Sequence, residues 1–179
     1  MNPINILKRL YWRFIASPVN YARHIGVNIG ENNLIGKNHW SSEPYLISIG
    51  SNCQLTDCKI FTHGGGNVLR DSYPEFDAFG KVTIGDWVYI GSNSLIMPGV
   101  TIGDNVLIAA GSVVTKSVPP RTVIAGNPAR IICTIEDYYN RNKKWDTQSK
   151  HCPNKKELLL GLPDDKFITK SLMVMKQFN

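Results

Sequence analysis

None of the apolar runs in the 179 residues is long enough to span a bilayer. A secretory signal needs an unbroken apolar core, and the N-terminal stretch is interrupted by Lys8, Arg9 and Arg13, so secretion is not expected. The four cysteines, Cys53, Cys58, Cys133 and Cys152, include no CxxC pair and no Cys/His cluster with zinc spacing. Reduced, structural thiols in a cytoplasmic protein fit best. Acid is missing from the first 24 residues, which carry Lys8, Arg9, Arg13 and Arg23, and a second basic concentration runs from Arg141 to Lys156. The net charge of +6 therefore sits at the ends of the chain, around a nearly neutral centre. Such a balance suits anionic small ligands or a membrane surface as well as many soluble proteins, and no nucleic-acid partner is expected.

The centre holds a clock. Ile84, Ile90, Ile96, Ile102, Ile108 and Val114 recur at every sixth position, a period that belongs neither to a helix at 3.6 nor to a strand at 2. It predicts a solenoid built of short strands and turns, with the aliphatic residue inward. Gly85, Gly91 and Gly103 directly follow clock residues, where the spacing predicts a tight corner that a Cβ would crowd. Polar residues after them, such as Asp86, Asn93 and Asn105, suit turns. A less even clock runs through Ile29, Ile35, Ile49, Leu55 and Phe61. Between Phe61 and Ile84 the spacing fails, so residues 63–81 form an excursion that leaves the coil and returns.

This organisation predicts an N-terminal helical cap at 1–24, a coil domain at 25–132 and a helical extension at 133–179. Residues 4–16 read as an amphipathic helix with Ile4, Leu7, Tyr11 and Phe14 on one face. It would cover the first coil, and its basic character also permits peripheral membrane contact. Past the turn-rich run from Val118 to Arg130, helices are predicted at Ile135 to Lys144 and Lys155 to Leu162, the second capped by Asn154 and closed by Gly161 and Pro163. These would close the other end of the solenoid.

Four histidines are available as a proton acceptor near neutral pH: His24, His39, His63 and His151. His63 alone ends a coil strand and opens a glycine run, Gly64-Gly65-Gly66, that lets a ligand come close to backbone. By its residues alone it reads equally as an accessible base or as a polar turn residue. In the excursion, Arg70 and Asp71 are the charged candidates for the acceptor. The Arg70 guanidinium suits a phosphate or carboxylate, or an ion pair with Asp71, Glu75 or Asp77 inside the loop.

The stretch IGDWVYIGSNSLIMPGVTIGDNVLIAAGSVVTKSVPPRTVIAGNPARII and the lone histidine in IFTHGGG resemble the hexapeptide-repeat acyltransferases. The segments EPYLISIG and THGGGNVLRD are most similar to members that acetylate sugars in capsule, exopolysaccharide or lipopolysaccharide synthesis. The resemblance implies an all-β, left-handed parallel β-helix with three-sided coils of about 18 residues. It also implies a homotrimer with sites between subunits, acetyl-CoA as acyl donor, and a sugar, sugar-nucleotide or glycan acceptor that takes the acetyl group on a hydroxyl or an amine. His63 occupies the position of the family's catalytic histidine. Relatives often have an acid directly after it, where this chain has Gly64, so Glu43, about one coil earlier, is the candidate orienting group. For the donor, Tyr89, Ser92, Ala110, Thr115, Lys116 and Arg130 match positions lining the coenzyme A groove. Lys116 and Arg130 suit its phosphates, and Cys133 stands where some relatives have another basic residue. Two other classes remain. A carbonic-anhydrase-like metalloenzyme needs three histidines around zinc, but the next histidine after His63 is His151, outside the coils, so no metal is expected. A noncatalytic β-helix scaffold would need neither the lone histidine nor the NPAR exit.

Overall fold

The computed structural model describes residues 11–168, so Ile4 and Leu7 of the expected amphipathic helix lie outside the described residues. Tyr11–Ile15 form a single π-helical stretch. The regular helix of this region comes later, as α1 (Pro18–Ile25). Ser17 accepts a hydrogen bond from Asn20 N–H and Pro18 opens the first turn, while Gly26, at φ 109°, closes the helix in the left-handed region. Ala22 is fully buried in the main core, with Val19 and Ile25 packed against it.

Twelve short strands follow: β1 (Asn28–Ile29), β2 (Leu34–Ile35), β3 (His39–Trp40), β4 (Ile47–Ile49), β5 (Gln54–Leu55), β6 (Lys59–Ile60), β7 (Val82–Ile84), β8 (Tyr89–Ile90), β9 (Leu95–Ile96), β10 (Thr101–Ile102), β11 (Leu107–Ile108) and β12 (Val113–Val114). Each from β1 to β9 pairs in parallel with the strand three further on, so the chain visits three faces in turn. Face one is β1-β4-β7-β10, face two contains β2-β5-β8-β11, and face three is β3-β6-β9-β12. In the later coils Thr101 lies beside Thr83, Leu107 beside Tyr89 and Val113 beside Leu95, the step of 18 residues that also separates Asp86 from Asp104. Earlier, Asn28 lies beside Ser48 and Leu34 beside Gln54, the 20-residue step that separates Asn33 from Cys53. The excursion stretches the next coil, in which Gln54 lies beside Tyr89 and the step from Ser51 to Asp86 is 35.

All six later clock residues are buried, none more than 2% exposed. A second inward position stands two residues before each: Val82, Val88, Ser94, Val100, Val106 and Ser112, also 0–2% exposed. A spacing of two puts both side chains on the same, inward side of the extended chain, and burying each aliphatic side chain contributes about 1.5–3 kcal/mol. Ser94 and Ser112 keep their hydroxyls satisfied by donating to Ala109 O at 3.1 and 2.6 Å. In the earlier set the inward residue is Ile60, fully buried beside Ile96, whereas Phe61 is half-buried. The beat there shortens by one residue, which moves Phe61 off the core.

The glycines after the clock residues do not turn the corner. A Cβ on Gly91 would lie 2.5 Å from Ala110 N, and one on Gly103 2.7 Å from Pro120 N, so they are small because the next coil passes over them. The left-handed corner residues come two positions later, at Trp87, Asn93, Gly99, Asn105 and Gly111.

The excursion closes with Gly80 N–H donating to Thr62 O at 2.7 Å and an antiparallel bridge between His63 and Phe79. The predicted turn-rich exit is instead an antiparallel hairpin of β13 (Thr122–Gly126) and β14 (Ala129–Thr134), with β13 added in parallel to β11 on face two. Propensity favoured a loop because Gly126, Asn127 and Pro128 fill the turn; Val123 and Ile124, both buried, carry the strand. Cys53 and Cys58 are free and buried, and burial pushes the Cys58 thiol up to about 12.

A separate compact unit begins at Glu136. Within its region α2 (Ile135–Asn142) passes into a 3-10 turn at Lys143–Trp145, and α3 (Lys155–Leu160) ends two residues before the predicted limit. Asn154 stands at the α3 N-cap without a side-chain capping bond, and Gly161 follows as the C-cap. Among the described residues no helix is long and apolar enough to cross a membrane.

Candidate active site

His63 and Glu43 come from successive turns at one corner, where face three passes to face one. Glu43 follows β3 and precedes the 3-10 turn Pro44–Leu46; His63 follows β6. Glu43 Oε2 lies 2.7 Å from His63 Nδ1, with side chains 18% and 36% exposed. With Nδ1 engaged by a carboxylate, the tautomer carrying hydrogen on Nδ1 leaves the Nε2 lone pair available. Phe79 flanks the imidazole, ring centroids 5.4 Å apart. Gly64 and Gly65 have open space where a Cβ would be, so the approach from the loop side is bare backbone.

Two buried hydroxyls support this pair, and sequence reasoning missed both. Thr62, 0% exposed, donates to Glu43 Oε2 at 3.0 Å and lies 2.7 Å from Ser41 Oγ; Ser41 is 7% exposed. Their signal in the sequence is a hydroxyl two residues before Glu43 and another directly before His63. Desolvation pushes the Glu43 carboxyl up, but the Thr62 hydrogen bond, the His63 charge and the Ser42 hydrogen bond together outweigh it and hold the carboxyl below its ordinary value.

Arg70 is engaged inside the excursion, donating from Nε to Phe76 O at 3.1 Å and lying 3.4 Å from Asp77 Oδ2. Asp71 is exposed on the same loop.

The donor candidates divide into two groups. Thr115, Lys116 and Arg130 surround a pocket of about 390 Å³, together with Val118, Ile124 and Ile131. Thr115 and Lys116 follow β12, so they occupy the same corner as His63, with the Met97-Pro98-Gly99 turn of the intervening coil between them. Ser92 and Ala110 follow β8 and β11 and lie at the next corner, between faces two and three; Ser92 O accepts from Gly111 N–H at 2.9 Å. Tyr89, 39% exposed, stands on the outer surface of face two. Cys133 is half-buried in β14, opposite Val123.

The repeat and the three-faced coil have counterparts among known proteins. Residues 81–116 match the hexapeptide repeat of succinyl-transferase. Protein CapG of Staphylococcus aureus is 48% identical over 121 residues, 65% of this chain and 70% of that protein. A maltose O-acetyltransferase from Clostridium difficile 630 superposes with a TM-score of 0.57 at 32% identity, over 73% of this chain and 83% of that one. A galactoside acetyltransferase solved in complex with coenzyme A gives 0.54 at 29%, over 74% and 80%. The chain belongs to the hexapeptide-repeat acetyltransferase family.

Proposed function

We propose that this chain transfers an acetyl group from acetyl-CoA to a sugar hydroxyl, or amine, in surface-polysaccharide or sugar-nucleotide synthesis, with His63 as general base. The observation that carries this reading is the 2.7 Å His63–Glu43 contact at the corner that, two coils on, borders the Lys116–Arg130 pocket. The acceptor hydroxyl gives its proton to His63 Nε2 while its oxygen attacks the thioester carbonyl carbon. Collapse of the tetrahedral adduct breaks the C–S bond, and the imidazolium returns the proton to the departing thiolate. Glu43 holds the tautomer and offsets the imidazolium charge as it forms. Asp71 is offered to the acceptor, while Arg70, tied to Asp77, shapes the loop around it.

Lys116 and Arg130 suit the nucleotide phosphates, and the coil edge between them and His63 suits the amides of the pantetheine arm. Ser92 and Ala110 sit at another corner, so a single chain cannot close both groups round one donor. A second copy presenting its other corner would complete the groove, as it would in a homotrimer of left-handed β-helices.

The test is a screen of free sugars, sugar nucleotides and glycans with acetyl-CoA, reading released thiol. Acceptor-dependent release is expected from at least one class; release that no sugar stimulates contradicts the proposal. With the acceptor in hand, Lys116→Ala plus Arg130→Ala should raise the KM for acetyl-CoA more than it lowers kcat, because phosphates are held alike in ground and transition states. The reverse pattern would put those residues elsewhere.

A further inference from the structure

Glu43 reaches His63 from a short irregular turn, and a carboxylate on such a turn has rotamers that would swing it away. Something must hold it. Glu43 Oε2 is the common acceptor of three contacts: His63 Nδ1 at 2.7 Å, Thr62 Oγ1 at 3.0 Å and, at the limit of bonding distance, Ser41 Oγ at 3.5 Å. Ser41 and Thr62 are themselves locked together. Thr62 N–H donates to Ser41 Oγ at 3.2 Å and the two hydroxyl oxygens are 2.7 Å apart. The backbone of each is fixed as well: Ser41 N–H donates to Ile60 O at 3.0 Å, and Thr62 O accepts the Gly80 N–H that closes the excursion.

We propose that Ser41 and Thr62 are positioning residues, a buried hydroxyl clamp that aims Glu43 Oε2 at His63 Nδ1 and thereby keeps the proton off Nε2. This rests on reading His63 as the base. One hydroxyl proton is used along the 2.7 Å contact between the pair, and the other is left for the carboxylate. The clamp spans two coils, and its upper member directly precedes His63 and receives the loop-closing bond, so the excursion's return and the orientation of Glu43 are set at one residue.

The experiment compares Thr62→Val, which keeps shape and loses the hydroxyl, with Thr62→Ser, which keeps the hydroxyl, in full-length protein labelled with 15N-histidine. Wild type and Thr62→Ser should show His63 as a single tautomer protonated on Nδ1; Thr62→Val should show a mixture. With acetyl-CoA and maltose or methyl galactoside as acceptor, Thr62→Val should lower kcat by about ten-fold or more with the acetyl-CoA KM nearly unchanged. A Thr62→Val protein with the wild-type tautomer, or a Thr62→Ser protein as mixed as Thr62→Val, overturns the clamp. If Thr62→Val does not fold, Ser41→Ala replaces it with the same expected tautomer mixing, and an unmixed spectrum there overturns the clamp too. His63→Ala separates the two ideas: wild-type turnover in that variant sinks the reading of His63 as base, while the tautomer spectra still judge the clamp.

Discussion

The coils after residue 82 and those before it are the same device built to different tolerances. After it, from β7 to β12, each step is 18 residues, and the two inward positions of each hexad are aliphatic apart from Ser94 and Ser112. Before it, the steps are 20 and then 35, one beat is short at Ile60, and polar side chains stitch the coils together. Asn33 Nδ2 donates to Gly50 O while its Oδ1 accepts from Cys53 N–H, and Asn38 Oδ1 accepts from Cys58 N–H. Repeating aliphatic burial makes a wall that needs no local instruction. A corner that must hold a histidine, a carboxylate and two hydroxyls in fixed relation departs from the repeat and replaces its packing with specific hydrogen bonds.

The sharpest way to break that comparison is in the wall itself. Ile96→Ala removes a fully buried side chain beneath β9 and should cost about 2–5 kcal/mol in urea unfolding; a loss well under 1 kcal/mol would mean the wall can collapse to refill the gap. Glycines give a paired test. Gly91→Ala drives a Cβ against the backbone of the next coil and should cost about 1–3 kcal/mol, whereas Gly64→Ala enters open space and should stay within about 0.5 kcal/mol. Equal effects would erase the distinction between stacked coil and bare loop.

The smallest effect concerns pH. The Glu43 carboxyl is held below its ordinary value of 4.5, so the stability it contributes is complete above that pH and is lost as pH falls through the lower folded value. Unfolding midpoints of wild type and Glu43→Gln should therefore differ more at pH 7 than in strong acid. A gap that widens on acidification would give the shift the wrong sign.

The wall was legible in the sequence because one residue type recurs at one spacing, from Ile84 to Val114. What escaped was whatever the repeat does not encode. The exit hairpin was hidden behind Gly126, Asn127 and Pro128, whose propensities describe its turn and say nothing of Val123 and Ile124 joining face two. Phe61 fell on the expected beat, but a one-residue shortening moved the core position to Ile60. His63 was marked by the glycines beside it and by family resemblance. Ser41 and Thr62 were not, since a buried hydroxyl in the sequence is indistinguishable from an exposed one; only the stacking of two coils brings them onto the same carboxylate oxygen.

The central claim is that the interrupted corner performs the chemistry while the wall carries the stability. Its most direct test is His63→Ala, with turnover and urea midpoint measured on the same preparation. Turnover should fall by about 10² to 10⁴ with the midpoint and acetyl-CoA affinity nearly unchanged. Turnover equal to wild type would contradict the account.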